Sequence, residues 1–126
     1  MLEHTVRRTG HVTILDLSGR ISLGEAMAFG AGSGTKPSDL IRGLLQDGHT
    51  RILLNLKKVT YIDSSGIGDL FGAYTSLRKQ NGELEFLSPN KTVRDVLRLT
   101  RLDKFIEVKD DEVEAIQSFS KPAAAG

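Results

Sequence analysis

Cysteine is absent from this 126-residue chain, which excludes disulfides, thiolate nucleophiles and cysteine-ligated metals together. A net excess of charge is lacking as well. Seventeen basic residues stand against sixteen acidic ones, a formal net of +1, so no global field draws the protein toward nucleic acid or anionic lipid. No apolar run approaches the ~20 residues that span a bilayer. The opening "MLEHTVRRTGH" has no signal-peptide apolar region. These absences predict a cytoplasmic protein that meets neither membrane nor nucleic acid directly. The length suits a single domain, long enough to bury roughly two-thirds of its unfolded surface. Its 39% hydrophobic and 26% charged residues are ordinary for a globular fold.

The chain reads as strands first, then as alternating elements. "HVTILDLSG" places Val12, Ile14 and Leu15 ahead of the Ser18-Gly19 break, a strand that a shorter one around His4 to Arg7 can pair through Thr9-Gly10. The segment "SLGEAMAFGAGSGTKP" is glycine-rich and reads as a loop with one short helical turn at most. From Pro37, Leu40, Ile41, Leu44 and Leu45 form one helical face, and Gly48 supplies a stop. Ile52–Leu56 is a near-continuous apolar run, the mark of a strand covered on both sides. A helix over 66–80 carries Ile67, Leu70, Phe71, Tyr74 and Leu77, and the Asn81-Gly82 turn opens a strand at Leu84–Leu87. Val93, Val96, Leu97 and Leu99 give a further helical face, "KFIEV" a last short strand, and "DDEVEAIQSFS" a last helix with its acids in the first turn. Residues 120–126, "KPAAAG" with the serine before it, read as a frayed tail. Strands followed by helix-strand alternation predict an α/β sheet, mostly parallel, with one antiparallel edge strand and about four helices.

Within that plan one stretch calls for an explanation. "VTYIDSSGIGDL", Val59 to Leu70, leaves the core strand and sets two serines between a carboxylate and a glycine-rich helix. Loops at the carboxyl ends of strands are where open α/β sheets place their sites. Asp and Ser are also preferred helix N-caps, so capping alone could account for them. The glycines argue for more. Gly66, Gly68 and Gly72 lie in the first turns, where each interior glycine costs ~1 kcal/mol relative to alanine. Gly68 and Gly72 are four apart and share one face, bare of side chains. That bareness admits either a partner or the protein's own sheet.

Other chemistries fit less well. His4, His11 and His49 have no metal-ligand spacing, and no metal or cofactor is expected. Around Ser64 and Ser65 the sequence I-D-S-S-G-I-G fails the G-x-S-x-G elbow of serine hydrolases. No histidine is indicated to complete a triad. "GAGSGTK", Gly30 to Lys36, superficially resembles a phosphate loop but lacks the Gly-Lys-Ser/Thr ending, and its third glycine is one position early for a dinucleotide fingerprint. Arg94, Arg98 and Arg101 line up at helical spacing, a solvated face or a face for an acidic partner.

The run "LLNLKKVTYIDSSGIGDL", with the following helix and the "GELEFL" strand, resembles the STAS domain, specifically the bacterial anti-sigma factor antagonists. The similarity in order of elements extends from about Val12 to Phe119, and "LSGRI" at Leu17 to Ile21 also resembles the family's exit from its second strand. The resemblance implies a STAS-like single domain over residues 1–119. It implies no catalytic residue of its own and a partner that is an anti-sigma factor with serine-kinase activity. A phosphoserine phosphatase is a further candidate partner. In the family, the serine directly after the aspartate is phosphorylated by that kinase. By position this is Ser64, with Ser65 the neighbouring hydroxyl, and the expected docking surface comprises Asp63, Ser64, Ser65, Gly66, Gly68, Asp69 and Gly72. One departure stands out: the glycine-rich stretch Ala28 to Lys36 is longer than the usual direct entry into the first helix. Two other readings remain open. One is a non-switching STAS subunit of a lipid-transport ATPase complex or signalling scaffold; the other is a small nucleotide-binding or hydrolytic enzyme using the glycine-rich loop.

Overall fold

The computed structural model describes residues 2–22 and 36–119. The chain begins with a hairpin of β1 (Leu2–Thr9) and β2 (Val12–Ile21), paired antiparallel from Leu2↔Gly19 to Thr9↔Val12. The two-residue loop puts Gly10 at φ +62°, the glycine-first turn that matches strand twist. Helix α1 (Pro37–Gln46) carries its proline in the first turn, where the missing N–H is no loss. Then follow β3 (Arg51–Ile62), α2 (Ser64–Lys79), β4 (Glu83–Leu87), α3 (Lys91–Leu99), a 3₁₀ turn at Leu102–Lys104, β5 (Glu107–Lys109) and α4 (Glu112–Ser118). The five strands lie in sequence order, β1-β2-β3-β4-β5, and every pairing after the hairpin is parallel. This is the expected mixed sheet with an antiparallel edge and four helices among the described residues. The tail at 120–126 and the glycine-rich residues 23–35 lie outside the described residues.

The sheet has two unequal cores. On one face Leu15, Leu17, Ile52, Leu54, Leu84 and Phe86 meet Ile41, Leu45, Leu70, Ala73, Leu77, Val93 and Leu97 from α1, α2 and α3. The other face is smaller: Val12, Ile14, Leu53 and Leu87 are covered by Ala115 and Phe119 at the C-terminal helix. The apolar run of β3 therefore reflects burial on both sides, as in strands covered by two layers. Glu85 also points into the second face and is buried. Desolvation pushes its carboxyl above the ordinary range, against the Ser118 hydroxyl 2.6 Å away.

Three details differ from the sequence reading. β3 runs six residues beyond Leu56, to Ile62. Its outer half projects past β4, whose pairing stops at Asn55↔Leu87. Two register shifts against β2, between Asp16 and Ser18 and between Gly19 and Arg20, break the alternation that marks a strand. Leu99 is not on the buried face of α3; it is 82% exposed. The last strand begins at Glu107, because Leu102–Lys104 closes a 3₁₀ turn and takes the "KF" residues out of the sheet.

Candidate functional site

Ile21 of β2 and Ile62 of β3 are register partners at the carboxyl ends of their strands. The residues just beyond, Ser22 and Asp63, are thereby brought side by side. Asp63 is the N-cap of α2 and accepts from the backbone N–H of Gly66 at 3.0 Å. Its other contacts come from hydroxyls: Ser22 Oγ donates to Oδ2 at 2.6 Å, and Ser65 Oγ donates to Oδ1 at 2.6 Å. The Tyr61 hydroxyl lies 3.5 Å from Oδ2. These donors, Ser22 foremost, hold the Asp63 carboxyl down at about 2, because each stabilises the charged form. Asp63 is a fixed anion.

The adjacent serines have different fates. Ser65 is half-buried and turned back onto the cap. Ser64 is the first helical residue, exposed, and its hydroxyl makes no hydrogen bond among the described residues. It stands at the amino end of a sixteen-residue helix, where unpaired backbone N–H groups and the helix dipole favour an anionic substituent.

The glycines also divide. A Cβ on Gly66 would sit 2.3 Å from the carbonyl oxygen of Ile21 and 2.9 Å from its side chain. Glycine there lets α2 press against the end of β2, so internal packing accounts for Gly66. At Gly68 and Gly72 a Cβ would meet nothing within 4 Å. Neither packs against the protein's own sheet. Phe71, three residues after Gly68 and its neighbour on the helix surface, is 39% exposed.

Asp69 requires a correction. The sequence placed it in the docking surface, yet it is only 9% exposed. Its Oδ2 accepts from the backbone N–H of Ser38 at 2.9 Å and its Oδ1 from Ser38 Oγ at 2.6 Å. Lys36, the N-cap of α1, makes no side-chain cap, so a carboxylate from α2 serves the first turn of α1 instead. Asp69 staples two helices. Ser22 is the residue that sequence reasoning missed; the parallel register of β2 and β3 was the signal that could have found it. Of the glycine-rich stretch Ala28 to Lys36, only Lys36 is described. Among the described residues no group of three or more His, Asp or Glu side chains could hold a metal ion, and no helix is long and apolar enough to cross a membrane.

Comparison with known proteins gives this geometry a family. The model of the STAS domain matches residues 3–115. The anti-sigma F factor antagonist of Paenibacillus polymyxa is 31% identical over 84 residues, covering 63% of this chain and 72% of that protein. The crystal structure of an anti-sigma factor antagonist from Mycobacterium paratuberculosis superposes with a TM-score of 0.75 over 94% of this chain and 93% of that one, at 21% identity. SpoIIAA, an anti-sigma factor antagonist solved in its unphosphorylated form, gives a TM-score of 0.67 over 94% of this chain and all of its own length, at 22% identity. The Bacillus SpoIIAA in its phosphorylated form gives 0.63, also at 22% identity, over 91% of this chain and 97% of its own. At these identities the likeness to the solved structures is one of fold. The chain belongs to the STAS domain family.

Proposed function

We propose that the protein antagonises an anti-sigma factor. Unphosphorylated, it binds an anti-sigma factor with serine-kinase activity and frees the sigma factor; phosphorylation of Ser64 releases it. One observation carries the reading. At the head of α2, Ser64 is exposed beside a fixed aspartate, while its neighbour Ser65 is consumed by the cap. The relative in Paenibacillus polymyxa is named for anti-sigma F antagonism, and SpoIIAA exists in unphosphorylated and phosphorylated forms, which supports a switch in a chain of this fold.

The physical chemistry of the switch is local. A phosphate on Ser64 is tolerated by the helix N-terminus. It also adds about −1.5 to −2 charge next to an Asp63 that is already ionised. A glycine-faced surface that a partner approaches closely then becomes strongly anionic, and binding loses both fit and electrostatic balance. No catalytic group of the protein itself is needed; it acts as ligand and as substrate. Residues 1–119 suffice as the acting domain in this reading, and a phosphoserine phosphatase would reset it.

The test uses Ser64→Ala and Ser64→Asp as baits for the kinase in extracts of the source cells. Ser64→Ala should retain the kinase and accept no phosphate. Ser64→Asp should retain less, though more than the phosphorylated protein, since a carboxylate carries about half the charge of phosphate. Equal retention of a partner by both baits and by the phosphorylated protein would favour the non-switching subunit of a lipid-transport ATPase complex or scaffold. A nucleotide bound to the purified chain in calorimetry would favour the enzyme reading instead.

A further inference from the structure

The geometry points to a second contact surface beside the serine-bearing helix: the ridge from the end of α3 to Phe105 docks an acidic, apolar-anchored segment of the same kinase. The inference rests on the function proposed above and adds the chemistry of the partner's surface.

Phe105 is 57% exposed, yet it is held in place. Its ring meets Phe71 of α2 edge-on at 5.6 Å and lies 6.4 Å from the ring of Tyr74. Arg101, at φ +62°, turns the chain out of α3, and the flanking Leu102 and Ile106 are buried. The three rings form a patch shared by two elements. It adjoins the bare face at Gly68, because Phe71 lies three residues further along the helix. Leu99, at the end of α3, is likewise exposed. Exposed aromatic clusters of this kind mark interaction sites, and aromatic anchors supply much of the binding energy of interfaces.

Charge identifies the occupant. Earlier on α3, Lys91 is paired with Asp95 and Arg94 with Asp110. Arg98, Arg101 and Lys104 are exposed, and among the described residues none forms an ion pair. Asp103 is the single carboxylate between positions 98 and 106, and its Oδ1 is sealed from solvent with no hydrogen-bond partner among the described residues. Three cations against one carboxylate leave the ridge positive. Three cations fall short of the roughly four to eight that recruit anionic lipid, so an acidic protein segment with an apolar residue is the better fit.

The test is binding of the purified kinase, at low and high salt, to wild type, Arg98→Glu/Lys104→Glu and Phe105→Ala. Charge reversal should slow association by about tenfold or more at low salt and remove most of the salt dependence. Phe105→Ala should weaken binding about tenfold with an unchanged melting curve. Should Phe105→Ala unfold, the charge-reversed variant decides alone. If both variants bind as wild type while Gly72→Leu abolishes binding, the ridge inference is overturned and the glycine face stands. A wild type that binds no kinase overturns both readings. Wild type that sediments with phosphatidylglycerol vesicles, and charge-reversed protein that does not, would assign the ridge to a membrane and overturn it too.

Discussion

At the entrance of β3, Ile52, Leu53 and Leu54 are wholly excluded from water. At its exit, Asp63 caps a helix whose first turns leave Ser64 and Gly68 open. The same strand thus serves two purposes within twelve residues. Its entrance is defined by what surrounds it, apolar side chains from both faces of the sheet. Its exit is defined by what is withheld: a hydroxyl left without a partner among the described residues and two helix positions without a Cβ. In the function proposed above, stability and binding are separated along one element. Substitutions at the two ends should accordingly fail in different ways.

The largest effect belongs to the entrance. Leu54→Ala should cost ~2–5 kcal/mol, the transfer loss plus an uncollapsed cavity. Denaturant unfolding measures it, and a loss below ~1 kcal/mol would deny Leu54 its place in the main core. Gly66 tests the boundary between the two regimes. Gly66→Ala should destabilise by about 1–3 kcal/mol, as overpacking does, because its Cβ meets the backbone carbonyl of Ile21. Gly68→Ala should do the opposite. With open space around it, the helix gains about 0.5–1 kcal/mol, and Gly72→Leu should leave folding cooperative while removing partner binding. Equal effects at Gly66 and Gly68 would erase the distinction between a packing glycine and a bare face.

The contrast between the ends also governs what the sequence revealed. Ile52 to Leu56 was readable because apolar burial leaves a continuous run, and the helix after it because Leu70 and Leu77 recur at its period. The outer half of β3 was not, since its register shifts and unpaired edge expose Lys57 and Lys58 and remove alternation. At the site, Asp63 and Ser64 were legible through a dense local motif. Ser22 was not, because its partner is 41 residues away in sequence. Asp69 misled for the same reason. An acidic residue in a surface-like pattern gives no sign that Ser38, across a helix packing, will bury it. Leu99 shows the converse, a helical period that continues past the point where the helix leaves the core.

The fixed aspartate at the exit also predicts a pH dependence. Asp63 is held down at about 2 in the fold, against about 3.9 in an unfolded chain. A depressed carboxylate contributes stability that is present above the unfolded value and lost as pH falls through the folded one. Stability should therefore decline between pH ~4 and ~2, and Asp63→Asn, which can still cap the helix, should flatten that decline. Glu85 works in the other direction. Burial raises its pKa, so its contribution is full below the unfolded value and is lost as pH rises through the folded one. Melting curves for Asp63→Asn below pH ~4, and for Glu85→Gln as pH rises above the ordinary carboxylate range, would separate the two. The same slope in Asp63→Asn as in wild type would mean that the cap carries no charge-dependent stabilisation.

The most direct test of the account is phosphopeptide mapping after incubation of the protein with its purified kinase partner and ATP. The expected result is phosphate on Ser64 and none on Ser65, with loss of the complex as modification proceeds. Phosphate on Ser65, or on neither serine while the complex stays intact, would contradict it.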